Sequence, residues 1–129
     1  MKRLASVLFI GLLLAAPAVQ AASNPFTGPW RATDTFDGSA MAISVSGGKT
    51  TTVNFIDHRG GICVNNQAPT AVFEGTLTGS ISGDTMTVTW KKAHCGSVFF
   101  DVSGWSAGTW TYDSGTGQLF DGSTYWSRP

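Results

Sequence analysis

Hydrophobic and polar residues alternate along much of this chain with a period of two. Met41, Ile43 and Val45 are separated by small or polar residues, and Met86, Val88 and Trp90 interleave with Thr85, Thr87 and Thr89. Trp110 and Tyr112 repeat the pattern among Thr109 and Thr111. Successive side chains of a strand point to opposite faces, so this alternation predicts half-buried antiparallel strands. Eight are expected, at roughly 27–35, 39–46, 50–58, 70–80, 84–92, 97–103, 107–113 and 118–127. Between them, Asp37-Gly38, Gly47-Gly48, Gly83-Asp84, Gly115-Thr116-Gly117 and Asp121-Gly122 suit tight turns, because glycine accepts positive φ. The segment 59–69, with Gly60, Gly61 and Pro69, is the longest expected loop.

The N-terminus breaks this pattern. Lys2 and Arg3 precede an apolar run from Leu4 to Ala16, and small residues lead out through Val19-Gln20-Ala21. That order is the layout of a secretory signal peptide, with a run too short for a comfortable membrane span. Residues 1–21 are therefore expected to be removed, leaving 22–129 as one β-domain, exported to the periplasm or beyond and soluble after cleavage. In an oxidising compartment Cys63 and Cys95, the only two cysteines, are expected to pair as a disulfide. A free reactive cysteine is the weaker reading, because nothing near either residue resembles C-x-x-C or a nucleophile with a partnered base.

The fold class follows as all-β. Eight short antiparallel strands can close into a barrel or stack as a sandwich. The immunoglobulin sandwich fits poorly, since Trp90 lies just before the second cysteine and Ala93 occupies the place of a tyrosine corner. A single up-and-down antiparallel barrel of about eight strands with one disulfide is the preferred architecture.

Two features at opposite ends support it. "FTGPW" gives Gly28-x-Trp30 at the first strand, and "YWSRP" gives Arg128 after the last. This pairing resembles the calycin superfamily of lipocalins, fatty-acid-binding proteins and avidins, in which a G-x-W tryptophan packs near a basic residue of the final strand. The resemblance implies that the indole of Trp30 plugs one end of the barrel with the Arg128 guanidinium across its face. The chain also resembles small secreted bacterial β-domains. The avidin biotin-pocket pattern is absent, so biotin is not implied.

Charge and side-chain chemistry narrow the function. Without Lys2 and Arg3, six basic side chains remain against eight acidic ones, and Lys91-Lys92 is the only basic pair, so a nucleic-acid partner is not expected. Threonine-rich outward faces and the short chain argue against an outer-membrane barrel. No nucleophile–base motif is present, and no catalytic residue is assigned. "FIDHRGGICVNN" places Asp57, His58 and Arg59 in sequence, but alternation turns the acid and the histidine to opposite faces. His58 and His94 each lie near a half-cystine and could meet at the bridge, yet two histidines are too few for a stable zinc site. No metal or cofactor is expected.

What remains is binding. Phe55, Phe73, Leu77, Met86, Val88, Trp90 and Trp110 compete for the interior, and a filled core is preferred to a ligand cavity. Gly75 and Gly79 either make room for a ligand or ease tryptophan packing. Phe99-Phe100 and Tyr125-Trp126 cannot both turn inward, so one ring of each pair is expected outside. A rim of Trp105, Tyr125 and Trp126 is the first candidate site, and the interior around Trp30, with Arg128, is the second. The expected activity is non-catalytic recognition, by a monomer, of a small hydrophobic molecule or an extracytoplasmic protein such as an enzyme held in check. The alternative is a structural cell-envelope domain without a discrete ligand.

Overall fold

The computed structural model describes residues 24–59, 61–65, 72–106 and 108–129. The expected signal segment 1–21 lies outside the described residues, as do Gly60 and Pro69. Nine strands and one short helix are present among the described residues: β1 (Gly28–Thr33), β2 (Ala40–Gly47), β3 (Thr50–Asp57), α1 (Gly61–Asn65), β4 (Phe73–Ser82), β5 (Thr85–Cys95), β6 (Val98–Phe99), β7 (Gly108–Asp113), β8 (Gln118–Phe120) and β9 (Tyr125–Trp126). Eight of them follow one antiparallel path in the order β1-β2-β3-β4-β5-β7-β8-β9. Arg31 and Ser127 then exchange both backbone hydrogen bonds, at 2.8 and 2.9 Å, so the last strand returns to the first and nearly closes the barrel. Closure leaves few unpaired edges, which a small sheet must otherwise protect.

The eight-stranded path matches the expected count, but two of the expected strands are composed differently. The segment expected at 97–103 contributes only the two residues of β6, which fold back on His94 and Cys95. β7 pairs directly with the first half of β5 instead, Thr85–Val88 against Thr111–Gly108. Beyond Phe99 the chain leaves the sheet because its apolar residues are needed elsewhere. Phe100, Val102 and Trp105 pack over the end of the barrel against Phe73 and the Cys63–Cys95 pair. The strand expected at 118–127 is broken into β8 and β9 by Asp121. Its carboxylate accepts the amides of Ser123 and Thr124 at 2.9 and 2.8 Å and the Trp126 indole N–H at 2.9 Å. Within the expected 59–69 loop, residues 61–65 form α1.

A β-bulge explains why β5 runs to Cys95 rather than stopping near 92. Thr76 pairs with Lys92 but Leu77 pairs with Trp90, so Lys91 is an extra residue. The bulge shifts the alternation by one position. Met86, Val88 and Trp90 before it and Ala93 and Cys95 after it therefore all share the interior face.

The interior is filled. Trp30, Trp126, Phe26, Leu77, Met86, Leu119 and Val53 are fully buried, and Ile43, Val45, Val88 and Trp110 pack with them. Phe55 joins this cluster to the upper one, meeting Phe73, Trp90 and Trp126 edge to face at 5.8, 6.1 and 5.9 Å. The two glycines of β4 take part in this filling. A Cβ at Gly75 would collide with the Trp90 indole, and one at Gly79 with Thr51 and Met86. They make room for protein side chains, as glycine on a strand does where a neighbour must approach closely.

At the base, the Trp30 indole donates to the Phe26 carbonyl at 2.8 Å, and the Arg128 guanidinium carbon stands 3.7 Å from the centre of the Trp30 ring. Arg128 also donates to the carbonyls of Pro29 and Pro25, at 3.1 and 3.0 Å. The indole–guanidinium stack expected from Gly28-x-Trp30 and Arg128 is thus present. At the other end Cys63 of α1 is bonded to Cys95 of β5, tying the helix to the barrel mouth.

Candidate functional site

A groove of about 520 Å³ crosses the outer wall of β1 to β5. Two adjacent rows of outward side chains build it, and the strand register sets both. One row runs Arg31, Ala42, Ile56, Glu74, His94; the other runs Pro29, Ser44, Asn54, Thr76, Lys92. Their neighbours in sequence, such as Trp30, Ile43, Phe55 and Gly75, face the core. Ala42, Ile56, Glu74, Thr76 and His94 are half-buried although they point outward. Twisted barrel walls are saddle-shaped, and short side chains at the middle of such a wall leave a hollow between longer ones.

The groove has an apolar floor and charged margins. Ala42 and Ile56 form the floor, while Arg31 on β1 and Lys92 on β5 stand at opposite sides. Among the described residues neither the Arg31 guanidinium nor the Lys92 ammonium has a carboxylate partner. Glu74 Oε1 lies 3.5 Å from His94 Nε2, an ion pair when the imidazole carries both protons. His94 Nδ1 lies 2.9 Å from the Gly96 carbonyl, a contact that requires the proton on Nδ1. The imidazole also meets the Phe99 ring at 4.9 Å, and Phe99 is 66% exposed. His94 is thus held on three sides, and Phe99 extends the groove past β5.

The residues expected to form a site are dispersed. Trp126 is 1% exposed and inside the barrel, whereas its neighbour Tyr125 is 61% exposed and outside. The expected separation of each aromatic pair is observed, with Phe99 likewise outside and Phe100 half-buried. Trp105 is half-buried in the plug, stacked on Phe73 at 6.4 Å and edge-on to Trp90 at 5.4 Å. Trp105, Tyr125 and Trp126 therefore do not make one rim. The alternation that separates Tyr125 from Trp126, and the need to close the barrel mouth with Trp105, prevent it. Trp30, the second candidate, is fully buried beneath Arg128.

Asp57 is buried and His58 exposed, as their alternation implies. The Asp57 carboxylate accepts from the Ser39 hydroxyl at 3.0 Å and the Arg59 amide at 3.1 Å, which ties the first hairpin loop to the end of β3. His58 and His94 do not meet. β4 separates their strands, two strand spacings or about 10 Å. Among the described residues no three His, Cys, Asp or Glu side chains are grouped to hold a metal ion.

The groove residues were not legible as a site in sequence. Arg31, Glu74, Lys92 and His94 are isolated charges on four positions spread over three strands, and only the register sets them side by side. Parity was an available signal for Arg31 and Glu74 alone, because the bulge at Lys91 leaves Lys92 and His94 on the sequence parity of inward-facing Met86, Val88 and Trp90. No family model matches the sequence, and no curated protein or solved structure matches it.

Proposed function

We propose that this protein is an exported, non-catalytic binding domain on a calycin-like barrel, and that it recognises another extracytoplasmic protein through the outer-wall groove. The observation that carries the reading is the pair of cations, Arg31 and Lys92, without a carboxylate partner among the described residues and flanking an apolar floor in a hollow of about 520 Å³. Interfaces combine an apolar centre with a polar rim, and arginine and exposed aromatic rings such as Phe99 are enriched in them. An enclosed small hydrophobic ligand is disfavoured, because packed side chains occupy the space that it would need. The partner's matching segment should carry acidic groups spaced to reach β1 and β5 over an apolar centre.

Affinity capture from extracts of the producing organism's envelope and its surroundings tests this. The intact protein is expected to retain one partner stoichiometrically, and an Arg31→Glu, Lys92→Glu variant is expected to lose it while keeping its thermal stability. Retention by the charge-reversed variant would move the site away from the groove. A co-purifying small molecule seen by native mass spectrometry, without any protein partner, would favour a ligand-carrying role instead.

A further inference from the structure

A second hollow, of about 460 Å³, lies on the other side of the barrel, along the outward faces of β7 and the β8–β9 hairpin. One wall is aromatic. Phe120 and Tyr125 are direct cross-strand partners, and their rings meet at 4.5 Å with a 33° tilt. Asp121 closes the turn of the hairpin that presents them, and Trp126 anchors it in the core. Thr111 continues the same row, and Asp84 and Asp113 complete the lining. The residues lining this hollow include no lysine or arginine. Lys49 stands in the adjoining cleft on the far side of Asp84. Asp113 Oδ1 accepts the Gly115 amide at 2.8 Å, leaving Oδ2 available, and the Asp84 carboxylate has no partner among the described residues.

Aromatic faces and carboxylates favour the same kind of ligand. The negative face of an aromatic ring attracts a cation, and so does a carboxylate. An anion would be repelled by both aspartates. A primary ammonium is strongly hydrated and resists contact with the rings. A quaternary ammonium is large, weakly hydrated and apolar on its surface, so it gains from ring contact without leaving an unsatisfied N–H. We infer that the Phe120–Tyr125 platform, with Asp84 and Asp113, is a binding site for a quaternary ammonium group. This site is independent of the outer-wall groove and does not rest on the protein-binding reading.

The test compares choline with 3,3-dimethylbutan-1-ol, its uncharged counterpart of the same shape. Titrations are followed by NMR at the Tyr125 and Phe120 ring protons and at the Thr111 amide. Choline is expected to shift these signals saturably and to bind about two- to fivefold more tightly than the alcohol, in keeping with a cation–π contact at an exposed site. Asp113→Asn keeps the acceptor for the Gly115 amide but removes the charge, and should weaken choline without altering the alcohol. Tyr125→Leu keeps apolar area but not the ring face, and should weaken choline likewise. Sedimentation with phosphatidylcholine vesicles separates the two sources of this group. Co-sedimentation lost in Tyr125→Leu assigns a lipid headgroup, and choline binding without co-sedimentation assigns a free small cation. Equal binding of choline and the alcohol, or choline shifts unchanged in both folded variants, would overturn the inference, as would the absence of any saturable shift.

Discussion

At the scale of single residues, the barrel depends on positions where a side chain is absent. Gly75 and Gly79 alternate with Phe73, Leu77 and Ile81 in β4, and sequence alone allowed their faces to border a ligand. The structure fills them with Trp90, Thr51 and Met86. Gly75→Ala is therefore expected to overpack the Trp90 indole and the Lys92 carbonyl beside it, destabilising by about 1–3 kcal/mol. Chemical denaturation would measure the change; an unaltered midpoint would mean that the indole moves aside freely. Other single residues fix the loops. Asp37 and Asp101 are held below the ordinary carboxylate range by the side chains and backbones of Ser39 and Ser103, whose amides donate to them at 2.9 and 3.0 Å. Lowered pKa values place that support at neutral pH and remove it as acid protonates the aspartates.

At the scale of elements, the alternation rule succeeded where each strand packs one face inward and failed where a segment had another task. It placed β1 to β5 and β7 within a few residues, and it put one ring of each adjacent aromatic pair outside. It could not anticipate the bulge at Lys91, which depends on how β5 meets β4. Nor could it see that residues 100–105 would leave the sheet to plug the barrel mouth. The β8–β9 hairpin rests on Asp121, whose carboxylate binds two turn amides and the buried Trp126 indole. Asp121→Ala is expected to cost about 1.5–3 kcal/mol, the range for hydrogen bonds to a charged group. The accompanying readout is the near-ultraviolet circular dichroism of Trp126, which should weaken with the turn. A variant of native stability and spectrum would show that the hairpin holds without its carboxylate.

At the scale of the whole molecule, the Cys63–Cys95 bond fastens α1 to the barrel end that Trp105 and Phe100 cover. Cys63→Ser with Cys95→Ser is expected to lower stability by roughly 3–4 kcal/mol, from the closure of a loop spanning 32 positions. Denaturation of the oxidised protein and the double variant would read it directly, and a loss under about 1 kcal/mol would assign mouth closure to the aromatic plug alone. The calycin resemblance implied the Trp30–Arg128 contact, while the sequence by itself determined the all-β class, the strands with a clean period of two and the cysteine pair. Each is written in local alternation or in a residue type with few alternatives. Only the tertiary structure decided that the interior is filled and that the two hollows lie on the outside. Those outcomes depend on which residues of different strands become neighbours, and register, bulge and closure set that together.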